Sequence, residues 1–182
     1  MKTTLKRFFI LATMLAILLN FVGCSSYKFD EEKVGADMEE KLTQLFISVQ
    51  NGDKETFKTF FADPVISRSD FEEGFQYVCN QYQGEILSVK CHYPMGEGRQ
   101  IGPEELSYYT AFGSYEVITS KNHYKVYVEF YTHYPTKYPD GSYKIKVFKL
   151  LSQEQWDNGE TFNDCPGKNG IYYSGWQNDD VK

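Results

Sequence analysis

Residues 108–151 read YYTAFGSYEVITS-KN-HYKVYVEFYTHY-PTKYPDG-SYKIKVFKLL, and this stretch decides the fold. Three runs rich in Tyr, Phe and Val are separated by short polar connections. Alternation at period two over such runs is the pattern of half-buried strands. Three long antiparallel strands are therefore expected here, with the upstream chain supplying helices for one face of the sheet.

The hairpin turn is expected at Lys121-Asn122. Val117 then faces Val126, Tyr115 faces Val128 and Gly113 faces Phe130, an apolar set that buries against helices. The other face pairs Glu116 with Tyr127, Ser114 with Glu129, Phe112 with Tyr131 and Thr110 with His133. A slip of one residue would exchange the two faces.

Upstream, Val34, Met38, Leu42, Leu45, Phe46 and Val49 form one stripe at helical spacing, so a helix is expected from about Asp30 to Gln50. Asn51-Gly52 stops it. Asp53 caps a short second helix that carries Phe57, Phe60 and Phe61 and ends at Asp63-Pro64. Ser69 and Glu72 have the spacing of a capping box for a third helix, whose apolar stripe is Phe71, Phe75, Val78, Cys79 and Tyr82. A strand follows over Glu85–Tyr93, then a glycine-rich loop over residues 94–103. Beyond Leu151, residues 156–168 read as irregular and residues 170–173 as a short terminal strand.

Residues 1–23 lie outside this fold. Lys2, Lys6 and Arg7 precede an apolar run that is too short for a comfortable membrane span, the layout of a secretory signal. It ends in Phe21-Val22-Gly23-Cys24, which resembles a bacterial lipobox. Cys24 is thus the expected lipidation site, residues 24–30 a short tether, and residues 31–182 a single α+β domain. Lipid on Cys24 would hold the chain on the outer side of the cell membrane, each buried CH₂ contributing about 0.8 kcal/mol.

The chain carries 19 Lys+Arg and 25 Asp+Glu. The leader holds three of the basic residues and no acidic one, which leaves 16 against 25, a net charge of −9. Such a surface is unsuited to nucleic acid and to anionic lipid, so the lipid must do the anchoring. Cys79, Cys91 and Cys165 remain after Cys24, an odd count, and are read as buried thiols.

Chemical motifs are scarce. Gly96-Glu97-Gly98-Arg99-Gln100-Ile101-Gly102 is one residue too long for a dinucleotide fingerprint and has no helix after it. Cys91 and His92 point to opposite faces of a strand and cannot share a metal. His123 and His133 lack a partner at metal-ligand spacing. No G-x-S-x-G or H-E-x-x-H occurs. Glu116 and Glu129 share a face and could act as an acid–base pair only if their surroundings split their pKa values. Otherwise they are solvated strand acids. No catalytic residue, metal site or cofactor is assigned.

The chain has 15 Tyr. Tyrosine joins an apolar ring to a polar tip and suits pocket walls and interfaces. Tyr82, Tyr109, Tyr115 and Tyr134 are the candidate ligand-lining residues. Phe112, Tyr127 and Tyr131, with Phe148 as a neighbour, form a candidate aromatic interface on the outer face, for a homodimer or a partner protein. A C-terminal tail carrying Trp156 or Trp176 would be its alternative cover.

Three helices followed by a long antiparallel sheet resemble the nuclear transport factor 2-like cone. Tyr82-Gln83-Gly84-Glu85-Ile86-Leu87-Ser88, Tyr115-Glu116-Val117, Asn122-His123-Tyr124-Lys125 and Gly170-Ile171-Tyr172 resemble the domain of unknown function 5104 family of Gram-positive lipoproteins. The resemblance implies helices on the concave face of a curved sheet and an envelope setting; it carries no catalytic residue. The expected role is a non-enzymatic, membrane-anchored module for a small molecule or a protein partner. An enzyme of the ketosteroid isomerase or dehydratase type, and an interaction scaffold, are the competing readings.

Overall fold

The structure, a computed structural model, describes residues 29–92, 96–100, 108–134, 136–138, 141–162 and 170–172. Cys24, Cys165 and Trp176 lie outside the described residues. The fold is α+β: helices first, then an open, mainly antiparallel sheet.

Helix α1 spans Glu31–Gln50 and starts where its sequence says it should. The Asp30 carboxylate accepts the Lys33 backbone N–H at 3.1 Å, filling one of the donors a helix start leaves open. All six residues of the expected stripe are buried. Helix α2 covers only Lys54–Lys58, capped by Asp53. Asp63-Pro64 does not end it; these residues open a separate turn, α3, Asp63–Ile66. Proline fits a first helical turn because its missing N–H would be unbonded there anyway.

Helix α4 spans Phe71–Gln81 without the expected capping box. Asp70 is held instead by the Arg68 guanidinium at 2.8 Å, and Glu72 reaches Lys54 at 2.6 Å. Phe57, Phe61, Phe71 and Phe75 then pack ring against ring between these helices.

The strands are β1 (Ile86–Cys91), β2 (Gly96–Gln100), β3 (Tyr108–Thr119), β4 (His123–His133), β5 (Ile145–Ser152) and β6 (Gly170–Tyr172). Their order is β1-β3-β4-β5-β6, with β2 also beside β3. The glycine-rich segment expected as a loop is thus a strand over residues 96–100. It continues the edge that β1 begins, β1 lying along Tyr115–Thr119 and β2 along Tyr108–Phe112. A bulge between Ile86 and Ser88 throws Leu87 outward, leaving it 66% exposed despite its place in the alternation. β6 runs parallel to β5, a departure from an all-antiparallel sheet.

The central hairpin keeps the expected faces but not the expected partners. Val117 pairs with Tyr124, Tyr115 with Val126 and Gly113 with Val128, two residues away from the sequence-based register. The reason is Thr119. Its hydroxyl accepts the backbone N–H groups of Lys121 and Asn122 at 3.2 and 2.9 Å, and its own N–H bonds Asn122 O at 2.9 Å. The turn is therefore Ser120-Lys121. A shift of two leaves every side chain on its original face, because strand side chains repeat at two. Phe112 consequently pairs with Glu129 rather than Tyr131, and Glu116 with Lys125 rather than Tyr127.

Ala111, Tyr115, Val117, Tyr124, Val126, Val128 and Phe130 are fully buried in one cluster with the α1 stripe. Phe148 belongs there too, opposite Val128 and against Phe46 and Phe61, not on the outer face. α4 presses on β6 so closely that a Cβ at Gly74 would stand 2.9 Å from Ile171 Cβ.

Tyr82 illustrates the cost of this packing. Its ring stacks on Phe46 at 4.8 Å and near Tyr124 at 5.5 Å, but its hydroxyl is buried with no hydrogen-bond partner among the described residues. Burial pushes that hydroxyl up to about 12. Tyr82→Phe is expected to raise stability by about 1 kcal/mol, because it removes an unsatisfied polar atom and keeps the ring. A loss of stability in a denaturant titration would show that the hydroxyl is used. Phe130→Ala should cost about 3–5 kcal/mol in the same assay, as emptying a large core site does.

Candidate functional site

The face of the sheet away from the helices carries a cleft of about 390 Å³. Its floor is Gly113, Ser114, Lys125 and Tyr127 from β3 and β4. Phe112 and His92 border it from the β1–β2 side, and Trp156 and Phe162 from the C-terminal side. Alternation places Phe112, Ser114 and Glu116 of β3 outward, beside Lys125, Tyr127 and Glu129 of β4.

The far wall depends on an arm that leaves β5. Ser152 caps a one-turn helix α5, Gln153–Asp157, in a reciprocal capping box with Gln155. Gln155 also donates to the Tyr77 hydroxyl at 3.1 Å, tying the arm to α4. Trp156 then lies 5.5 Å from Phe162, and Phe162 lies 5.6 Å from Tyr127. Beneath the arm, buried Lys149 donates to Thr161 O at 2.7 Å.

The charges on this face are paired. Lys125 Nζ meets Glu116 Oε1 at 2.9 Å and Lys146 meets Glu129 at 2.7 Å. The Lys125 hydrogen bond is the main reason the Glu116 carboxyl lies below the ordinary range, with His92 and His123 adding smaller attractions. Lys146 also sits over the rings of Tyr108 and Tyr131, at 6.0 and 5.8 Å. Each acid is thus occupied by its own lysine, and for Glu116 that pairing favours the ionised carboxylate.

The four tyrosines proposed as pocket walls do not meet. Tyr115 is fully buried in the core, its hydroxyl pKa raised by burial and then by nearby Cys91 and Glu39. Tyr82 is stacked on Phe46 as described and borders a different cavity of about 590 Å³, with Cys79 and Lys121. Tyr109 packs edge-on to His133 at 5.9 Å. Tyr134 joins Tyr108, Tyr131 and Tyr138 in a separate aromatic cluster at the end of the sheet. Of the three residues proposed for the outer interface, Phe112 and Tyr127 line the cleft, while Tyr131 is buried in that cluster.

Sequence reasoning put Ser114 on this face with Phe112 and Tyr127 and gave a tail carrying Trp156 as a cover for it; His92 and Phe162 are the lining residues it did not bring there. The Ser152-x-x-Gln155 spacing was the available signal for the arm. Cys91 packs toward the core while His92 reaches the cleft, the opposite placement that strand geometry requires. Among the described residues Cys79 and Cys91 form no disulfide with each other and both are half-buried, and burial raises the Cys79 pKa. Among the described residues no group of three His, Cys, Asp or Glu is placed to hold a metal ion.

Two other cavities are more polar. One of about 460 Å³ lies between the start of α1 and Cys91, bordered by Glu31, Glu32 and Glu39. The Glu39 carboxylate there accepts the Cys91 N–H at 2.8 Å. Another of about 590 Å³ lies by Asp37, Lys41 and Tyr143. Burial, then the neighbouring Lys144, lowers the Lys41 pKa.

Among the described residues no helix is long and apolar enough to cross a membrane. No curated protein and no solved structure matches the chain. Residues 44–150 match the model of the family described as Domain of unknown function (DUF5104). That match takes in α1 from its fourth turn, the other N-terminal helices and β1 through nearly all of β5, so the chain belongs to the DUF5104 family.

Proposed function

We propose that this protein is a membrane-tethered, non-catalytic module that binds a small molecule in the cleft on the outer face of its sheet. The observation that carries this reading is the cleft itself. Its volume falls in the range of small-molecule sites, and its walls are mainly aromatic with a few polar groups, the usual make-up of such sites. The pairing of Glu116 with Lys125 and of Glu129 with Lys146 favours binding over acid–base chemistry. The tether rests on the leader and on Cys24, whose sequence resembles a lipobox.

Phe112 is 39% exposed and Trp156 37%, so the cleft can be altered without emptying the core. Native mass spectrometry of the full chain, released from detergent micelles, is expected to show an added small-molecule mass. Phe112→Asp should lose that mass while its circular dichroism and melting midpoint stay close to wild type. Retention of the same mass by Phe112→Asp would place the ligand elsewhere and remove the cleft from this reading.

The tether has its own test. Wild-type chain is expected in the membrane fraction with an acylated N-terminal peptide beginning at Cys24, and Cys24→Ser without one. Wild-type protein in the culture medium with an unmodified N-terminus would overturn the anchor.

A further inference from the structure

We infer that the cleft takes a neutral, planar aromatic molecule of one or two fused rings, held by ring faces rather than by charge; this rests on the binding reading given above. Four large hydrophobic residues are exposed among the described residues: Ile47, Leu87, Phe112 and Trp156. Two of the four, Phe112 and Trp156, border this one cleft from opposite sides of Tyr127. Exposed apolar side chains scattered singly are ordinary, but a group around one concavity marks a contact surface.

The rings already present show the mode of contact. Tyr127 and Phe162 are inclined by 32° and Trp156 and Phe162 by 46°, at centroid separations of 5.6 and 5.5 Å. Tilted and offset arrangements at these separations are those that aromatic quadrupoles favour. A planar guest extends the same series by one more ring against Trp156 or Phe112.

Charge decides the ligand's class. Among the described residues Lys125 is the one Lys or Arg lining the cleft, and it is already bound to Glu116 at 2.9 Å. An anionic guest would have to compete with that carboxylate. A cationic guest would meet the lysine and find its counter-ion taken. Either charge would leave water for a mostly apolar site without a partner, which is unfavourable. A neutral guest meets neither cost. Ser114 in the floor and His92 at the border offer polar groups, enough to orient a ring that carries one hydroxyl or carbonyl. A volume of about 390 Å³ sits low in the small-molecule range and limits the guest to one or two fused rings.

The test uses three probes of one shape: 2-naphthol, 2-naphthoate and 2-naphthylmethylamine. The full chain, labelled with 5-fluorotryptophan and held in lipid nanodiscs, is titrated with each probe at one fixed pH. Empty nanodiscs at equal lipid supply the partition correction. Trp156→Phe assigns the Trp156 fluorine signal against that of Trp176. Saturable movement of the Trp156 signal is expected with 2-naphthol, with the naphthoate and the amine binding at least tenfold more weakly. Phe112→Leu, which keeps bulk and loses the ring, should weaken 2-naphthol at least tenfold, and Phe112→Tyr should restore it. Equal or tighter binding of either charged probe at Trp156 would overturn the neutral class and leave the cleft as a binding site. No movement of the Trp156 signal with any probe would overturn the inference and count against the cleft itself.

Discussion

The hydroxyl of Thr119 fixes the register on which the rest of this structure depends. By closing the turn at Ser120-Lys121 it sets Val117 opposite Tyr124 and carries that pairing down the hairpin. One face then collects Ala111, Tyr115, Val117, Tyr124, Val126, Val128 and Phe130, which meet the stripe of α1 in a continuous core. A slip of a single residue would turn these side chains to water and bring Glu116, Lys125 and Glu129 inward. Burying those charges without their present partners would cost more than a domain of this size has in reserve.

The same alternation supplies the outer face, and there the polar residues organise one another. Lys125 takes Glu116, and Lys146 takes Glu129 while lying over two tyrosine rings. These pairs gain their effect from being half-covered, since fully exposed ion pairs contribute little. With the charges matched, what remains available on this face is aromatic: Phe112, Tyr127 and the arm that brings Trp156 and Phe162.

That arm is why the outer face has a cleft rather than a flat patch. A capping box at Ser152 turns the chain immediately after β5, Gln155 fastens it to α4 through Tyr77, and Lys149 fastens it through Thr161. The Gln155–Tyr77 contact joins parts of the chain 78 residues apart. The wall these contacts build therefore belongs to the same cooperative unit as the helices, although it faces the other way.

The sequence by itself determined the α+β order, the α1 stripe from Val34 to Val49, the three central strands and the two faces of the hairpin. Each is a local periodicity of 3.6 or 2.0, readable without knowing what lies opposite. The short terminal strand expected over residues 170–173 is present as Gly170–Tyr172, although all three residues are buried and show no alternation. Tertiary structure alone decided which residues meet. Thr119 moved the register by two through a side-chain bond that no periodicity reports. The long connection between β4 and β5 left the register of Phe148 open in sequence, where it was grouped with the outer aromatics, and pairing with Val128 sent it to the core. The Ser69–Glu72 capping box did not form: the helix is capped one residue later at Asp70, whose carboxylate is held by Arg68, and Glu72 pairs with Lys54. Tyr82, Tyr109, Tyr115 and Tyr134 share a residue type but not a location, and the cleft was assembled instead from β1, β3, β4 and the arm beyond β5. Such a site is a product of strand order, and strand order is set by long-range contacts rather than by local pattern.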